Sequence, residues 1–582
     1  MGDKIRKDLN ARCENGSIVQ RITVVERFRT GFSERPSACL MAVLFVTSVI
    51  VYFNAVFDGF VYDDRLQILR NPWIKDIRYI PDLFIKSVWS FQANTGISNY
   101  FRPIMYIIYM FDYHVFGLHP WGYHVVNILF HATASSVVFM LTLKLLRENT
   151  SLPEISCLFP SFVASMFFAV DPIHTEAVTW VAAIPELSFT LFYLLAFYFY
   201  MRSEDDGSGK RAYLLSVAMF AVSALCKETA LTFPMILVAY DYGLKKDRGP
   251  LAASLKRYLP YLIVAGVYLA MRIHALGGIA PETVHAGLDT CHLAINVVYL
   301  FKQYLAKLLF PINLDLFHVF RPPGSVFDPE GMLSLGVLIV YSAAVVLAKR
   351  KNTLVYFSLL FVVIPLLPAF YIPALGENVF AERYLYLPSV GLAILLALSV
   401  AWIRTSFAGR KAVWNPVFAL LIGLCCIATI SRNAVWKDEY TLFVDTLLKS
   451  PHGVVQPWSL PIDLSSRRAA DHYNLGVAYL KGGMTDKAIE QFRIAGLAHG
   501  FAEPHNDLGY IYAKKGLLDK AIEQFRIAVT LKPAYATAHH NLGEAYEQEG
   551  LIDKAVEQFE IAVRLAPDND QFRSDLAGAM KK

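Results

Sequence analysis

Two adjacent aspartates, Asp63 and Asp64, stand in the stretch D-G-F-V-Y-D-D-R-L-Q-I-L-R from Asp58 to Arg70, directly after an apolar run from Ala38 to Phe57. That run is about the length needed to cross a bilayer. Asp58, Asp63 and Asp64 with Arg65 and Arg70 therefore emerge where the chain leaves the hydrocarbon. Paired carboxylates at a membrane face can act as a general base or hold a divalent cation, and they can equally open a solvated turn with an N-cap aspartate. Four further clusters place acids and bases at the ends of apolar runs: Arg102 before Pro103, His174 and Glu176 in D-P-I-H-T-E-A-V, Lys227–Glu228, and Glu382–Arg383. Ionisable groups at a membrane edge are costly and default to function or to pairing. His174 and Glu176 lie two apart and so do not share a helical face, which speaks against zinc; a helix start capped at Thr175 is the plainer alternative. Lys227 and Glu228 can neutralise each other at a hairpin turn. Arg383 can snorkel from the start of a span or grip a phosphate with its planar fork. Glu186, after Pro185, can face the same cavity.

The elements that must position these groups follow from composition and pattern. The 582 residues are 55% hydrophobic and 14% aromatic, with a mean hydropathy of +0.40, which excludes an ordinary soluble chain. The reading is an all-α protein: a polytopic bundle of about eleven transmembrane spans followed by a helical repeat solenoid. Residues 1–37 form a cytoplasmic N-terminal segment and 38–431 the membrane domain with an outer loop at 58–120. Residues 432–469 are a linker and 470–582 the repeats. The net charge of +5 is spread over loops and orients the chain in a membrane rather than on nucleic acid. Seven cysteines without C-x-x-C spacing suggest neither a disulfide framework nor a zinc site.

Basic residues from Lys4 to Arg35 put the N-terminus in the cytoplasm, and the first apolar run, with no cleavage site after it, reads as a retained anchor. Ile77–Trp89 and Tyr100–Phe116 suit helices that lie in the interface. Leu293–Phe310 carries Lys302, Gln303 and Lys307. A crossing there would put Lys349–Arg350–Lys351 outside, so it reads as interfacial or re-entrant. Counting spans on this basis brings all five clusters, and the tail, to the non-cytoplasmic side.

The tail repeats itself. H-Y-N-L-G-V-A-Y at His472, P-H-N-D-L-G-Y-I-Y at Pro504 and H-H-N-L-G-E-A-Y at His539 recur, with spacings of 33 and then 34 between Gly476, Gly509 and Gly543. D-K-A-I-E-Q-F recurs at Asp486 and Asp519, and D-K-A-V-E-Q-F follows at Asp553. This is the tetratricopeptide pattern, whose stacked helix pairs form a groove suited to extended peptides. Asp575–Lys582 is expected to complete a capping helix.

Taken together, F-V-Y-D-D-R, Y-F-R-P, G-Y-H-V-V-N-I-L-F-H-A, D-P-I-H-T-E-A-V, C-K-E-T and E-R-Y-L-Y-L-P-S-V-G, closed by the repeats, resemble the transmembrane and tetratricopeptide repeat-containing O-mannosyltransferase family. That family is similar to the C-type glycosyltransferases, polytopic enzymes that use lipid-phosphate sugars and place the catalytic carboxylate in the first outer loop. The resemblance implies transfer of mannose or a similar hexose from a polyprenyl- or dolichyl-phosphate donor to hydroxyl groups of a protein acceptor. It makes Asp63 and Asp64 the catalytic pair, Asp64 preferred because it adjoins Arg65, and gives the leaving phosphate to Arg383, Arg102 and Lys227. It matches Glu176, His174, Glu228 and Glu382 to the substrate-binding blocks. No cofactor is fixed by the resemblance, and a divalent cation at the aspartates stays open. The partners implied are the lipid-linked sugar, a polypeptide acceptor or partner on the repeats, and membrane lipids, with no nucleic acid. Three clear repeats and an ending in M-K-K favour a bacterial inner-membrane member with periplasmic repeats; the eukaryotic counterpart would sit in the endoplasmic-reticulum membrane. The competing readings are a non-enzymatic membrane scaffold for protein–protein interaction and a transporter. A transporter predicts mid-span charges and symmetric halves, and neither is evident.

Overall fold

The computed structural model describes residues 36–581, apart from 93–98, 205–208, 246–250, 279–289, 317, 319, 321, 373–378, 439–440, 443–444, 446–448, 450–463 and 497–500. Residues 1–35 of the expected cytoplasmic segment, and much of the expected linker, lie outside that range. Every regular element among the described residues is helical. The chain divides into a membrane unit up to Lys437, less the short segment 317–321, and a repeat unit from Asp438 with which that segment groups.

Nine helices among the described residues are long and apolar enough to cross a bilayer, from Pro36–Phe57 to Ala412–Trp436. A tenth results if Glu154–Val170 and Pro172–Thr179, bent by 45°, make one broken span. The break has a local cause. Pro172 cannot donate to the preceding turn, and the Asp171 carboxylate caps the new one by accepting the Ile173 N–H at 3.0 Å. Thr229–Tyr242, the remaining span of the expected eleven, is a 3-10 turn, Glu228–Thr232, that leads into a helix of 11 residues, Phe233–Gly243. Together they rise about 26 Å, and their two ends bond opposite ends of the span Val181–Arg202, Lys227 to Glu186 and Asp241 to the Tyr200 hydroxyl, so the chain crosses there as the expected count requires. Thr290–Leu309, with its two lysines, is not among the candidate spans.

Of the two expected helices in the outer loop, Pro103–Phe116 forms, while the other shrinks to the single turn Ile80–Leu83 between short 3-10 segments. The loop is nevertheless packed. Trp73 stacks on Tyr79 at 5.9 Å and meets Phe91 and Tyr106 edge-on at 6.3 and 6.4 Å, and the Tyr106 hydroxyl donates to the Val88 carbonyl. The two ends of the membrane unit are tied by one buried amide. Asn433 Nδ2 donates to the Val51 carbonyl at 3.1 Å and to Asn54 Oδ1 at 2.9 Å, while its Oδ1 accepts from Thr179 at 3.1 Å. First span, broken helix and last span thus converge below the outer loop.

In the repeat unit, three helix pairs run from Leu464–Lys481 to Ile552–Leu565, followed by a capping helix Asp570–Ala579. The cap begins before Asp575 because Asn569 accepts the N–H groups of Gln571 and Phe572. Gly476, Gly509 and Gly543 are dictated by packing. A Cβ there would come within 2.5, 2.6 and 2.7 Å of Phe492, Phe525 and Phe559. Ala488, Ala521 and Ala555 are fully buried.

Candidate active site

The loop after the first span is fixed by a strained turn. Tyr62 sits at φ 51°, in the left-handed region that a bulky side chain seldom occupies. Asp64 holds it there: its two oxygens accept the Val61 N–H at 3.0 Å and the Ala182 N–H at 2.7 Å. Asp64 is fully buried, and burial pushes its carboxyl well above the usual range against the opposing pull of those N–H groups. The Asp63 carbonyl accepts the N–H groups of Leu66 at 3.1 Å and Gln67 at 2.9 Å, opening a wide π-type turn, Arg65–Leu69. The two neighbours therefore part. Asp64 staples the turn, whereas Asp63 lines a small cavity of about 80 Å³. With both Asp64 oxygens engaged by backbone donors, the pair does not present two free carboxylates to one cation.

Three ion pairs, one buried and two half-buried, surround that cavity. Arg383 donates to Glu176 through its guanidinium and through its backbone N–H, the latter at 2.8 Å. Its charge lies 5.2 Å from the ring centres of both Trp180 and Tyr384. Arg102 forks onto Glu228, Nη2 to Oε1 at 2.8 Å and Nε to Oε2 at 3.3 Å, with its guanidinium 4.6 Å over Tyr100. Lys227 pairs with Glu186 and faces Tyr384 at 4.4 Å. Burial alone would raise the Glu228 carboxyl, but the Arg102 and Arg272 guanidinium groups outweigh it and hold it down at about 2. Burial lowers the Lys227 ammonium, with Glu186 working against it. Every carboxylate in these pairs keeps a cation in place, so the cations stand as fixed donors rather than mobile surface charges.

The small cavity is walled by Asp63, Gln67, Arg102, Glu186 and Arg383 among aromatic rings. A second cavity of about 280 Å³ adjoins it and shares Tyr100, Glu186 and Tyr384. Its lining is largely apolar, with Leu231, Leu269, Pro365, Pro368 and Leu387, and it also carries Lys227, Glu228 and Arg272. Of the residues singled out from the sequence, Asp63, Arg102, Arg383, Lys227 and Glu228 thus line two adjoining cavities. Glu176 acts behind Arg383. The other three are placed differently, and the substrate-binding expectation for His174 and Glu382 is corrected accordingly. His174 is buried in the bundle, bonded through Nδ1 to the Phe168 carbonyl at 2.8 Å and through Nε2 to the Ser389 hydroxyl at 2.9 Å. It packs there against Tyr386 and His131. Glu382 is buried and accepts the Asp315 N–H at 2.9 Å. Neither, nor Asp64, lines the cavities. The sequence did not single out Gln67, Tyr100, Arg272 or Tyr384; the Y-F-R-P and E-R-Y-L blocks held two of them in plain view beside the arginines.

These elements define a class: a polytopic helical membrane protein with a tetratricopeptide tail and an ionic site at one end of the bundle. Family models for the tetratricopeptide repeat match residues 472–495 and 536–569, and one for the TPR repeat matches 509–550. The chain is 29% identical to the human protein O-mannosyl-transferase TMTC3 over 68% of its own length and 46% of that protein. It is 25% identical to the Drosophila melanogaster Tmtc3 over 81% and 56%, and 28% identical to human TMTC4 over 78% and 65%. These matches bear out the resemblance read from the motifs. The chain spans about half the length of the curated relatives it matches first. A solved structure, the first TPR of Spaghetti (RPAP3) bound to HSP90 peptide SRMEEVD, covers 20% of the chain at 21% identity with a TM-score of 0.20, which carries no weight on architecture.

Proposed function

We propose that this chain is an integral-membrane glycosyltransferase that moves mannose or a similar hexose from a polyprenyl- or dolichyl-phosphate donor to a hydroxyl of a polypeptide on the non-cytoplasmic side. The observation that carries the reading is the convergence of Asp63 with Arg102 and Arg383 on one polar cavity, opening beside a larger apolar one. A hydroxyl is a weak nucleophile with a high pKa and needs a carboxylate within hydrogen-bond reach to take its proton. Asp63 takes that role, and Asp64 becomes the residue that holds Asp63 in position. The acceptor oxygen bonds to the sugar C1, its proton passes to the Asp63 carboxylate, and the C1–O bond to the phosphate breaks with the electron pair left on the phosphate oxygen. Arg383 and Arg102, with Lys227 on the adjoining wall, meet that developing charge as preorganised donors. The donor's polyprenyl chain lies along the apolar lining of the larger cavity.

The repeats engage the acceptor or a partner polypeptide. Tethering the acceptor to the membrane unit raises its effective concentration without any further catalytic group. A membrane anchor for a scaffold has no use for three ion pairs gathered at its edge around one cavity, which is what favours the enzyme over the scaffold reading. The host membrane is the bacterial inner membrane or that of the endoplasmic reticulum, with the repeats on the periplasmic or lumenal side. Mass spectrometry of glycoproteins from that compartment, in cells with and without this protein, tests the proposal. Loss of hexose from Ser or Thr of a defined set of proteins is expected; an unchanged glycoproteome would leave the scaffold reading standing.

A further inference from the structure

The two adjoining cavities differ in a way that assigns them different substrates. The larger is mostly apolar and its charged groups are clustered, Lys227 on Glu186 and Arg272 3.9 Å from Glu228, which suits a lipid with a phosphate head. The smaller, about 80 Å³ against about 280 Å³, has Asp63 in its wall and is on the scale of a short side chain rather than a lipid or an aromatic ring. One of its walls carries a polar group with no assigned task. Gln67 is 7% exposed and lines this cavity, yet its Oε1 makes no hydrogen bond among the described residues. A buried amide oxygen left without a donor costs on the scale of a lost hydrogen bond, so its retention beside Asp63 asks for a ligand that supplies one. Its backbone leaves little freedom, because the Gln67 N–H is held by the Asp63 carbonyl at 2.9 Å across the wide turn. Asp63 and Gln67 are therefore presented together, one turn apart, on a segment stapled by Asp64.

Resting on the glycosyl-transfer reading, we infer that the small cavity is the acceptor pocket, shaped for a Ser or Thr side chain, and that Gln67 is an acceptor-binding residue. Its amide oxygen accepts a hydrogen bond from the acceptor, from the backbone N–H of the residue that enters, while Asp63 receives the hydroxyl proton. Glu186, Tyr100 and Tyr384, common to both cavities, form the junction where the sugar is handed over. Water, which needs no such anchor, can still reach Asp63, so transfer of the sugar to water does not depend on Gln67.

The test uses the full chain in vesicles with polyprenyl-phosphate mannose and a Thr-containing peptide. Gln67→Met keeps the length of the side chain and removes the oxygen; Gln67→Ala serves as the second variant. Both are expected to raise the KM for the peptide tenfold or more. The KM for the donor should stay within twofold of the parent. A merely structural role would move donor and peptide constants together, and that result overturns the inference. So does a parental peptide KM in either variant, or equal use of a peptide with Tyr in place of Thr. If the unaltered protein neither transfers nor hydrolyses the donor, it is the proposed function itself that falls, and this inference with it.

Discussion

The ionic site of the membrane unit and the polar ladder of the repeat unit solve the same problem, how to hold polar side chains inside packed helices, in opposite ways. In the repeats one contact is copied: His472–Gln491, His505–Gln524 and His539–Gln558 are each hydrogen-bonded at 2.8 Å, Nδ1 to Oε1. In the membrane unit each contact occurs once and joins distant chain segments, Arg383 to Glu176 across 207 residues and Arg102 to Glu228 across 126. A copied contact supports a scaffold whose members share the load between neighbours. A contact made once, between paired charges, fixes one constellation and tolerates no loss.

The sharpest way to break that contrast is to orphan one charge of the Glu176–Arg383 pair. Arg383→Met leaves Glu176, 2% exposed, without its cation, and should cost on the order of 3–5 kcal/mol of stability and about 100-fold in transfer. Thermal unfolding in detergent and a transfer assay read both, and the double variant Glu176→Gln with Arg383→Met should unfold later than the single one. Asp64→Asn comes next. The amide has one carbonyl to offer two backbone donors, so a loss of roughly 1–3 kcal/mol is expected, measured by the same melt. In the repeats, Gly509→Ala drives a Cβ to within 2.6 Å of Phe525 and should lower the repeat melting transition by about 1–3 kcal/mol, leaving transfer to small peptides unchanged.

A smaller effect is expected from pH. The folded Glu228 carboxyl is held at about 2, below its ordinary 4.5. Its contribution to stability is therefore complete above about pH 4.5 and is lost as the pH falls toward 2. Glu228→Gln should flatten that part of the stability profile, which a pH series of melts would show; an unchanged slope would mean that Arg102 does not govern this carboxylate. The smallest change is His472→Ala, where losing one of the three copied bonds should cost roughly 1 kcal/mol or less.

The same contrast explains what the sequence made legible. A contact that recurs every 33 or 34 residues announces itself, and the glycines, alanines and phenylalanines of the repeats were readable for that reason. The apolar runs gave the spans, including the short one that enters Phe233–Gly243 through a 3-10 turn just before Pro234. The acid–base clusters at the span ends gave most of the site's charges. Which member of a cluster faces the cavity was not readable. Adjacent aspartates are indistinguishable until the Ala182 N–H, 118 residues away, claims Asp64. His174 looked chemical until Ser389, 215 residues on, satisfied it within the bundle. Gln67 drew no notice because an uncharged amide in an apolar stretch stands out only when its partner is missing.

The central claim is that Asp63 is the base of a glycosyl-transfer site that Asp64 merely holds in shape. Transfer from polyprenyl-phosphate mannose to a Thr peptide, measured in vesicles with equal amounts of inserted parent, Asp63→Asn and Asp64→Asn, tests it most directly. Asp63→Asn should insert and melt like the parent yet lose transfer by 100-fold or more, while correctly folded Asp64→Asn retains a substantial part of it. Full transfer by Asp63→Asn, or loss of transfer confined to a stable Asp64→Asn, would contradict the account.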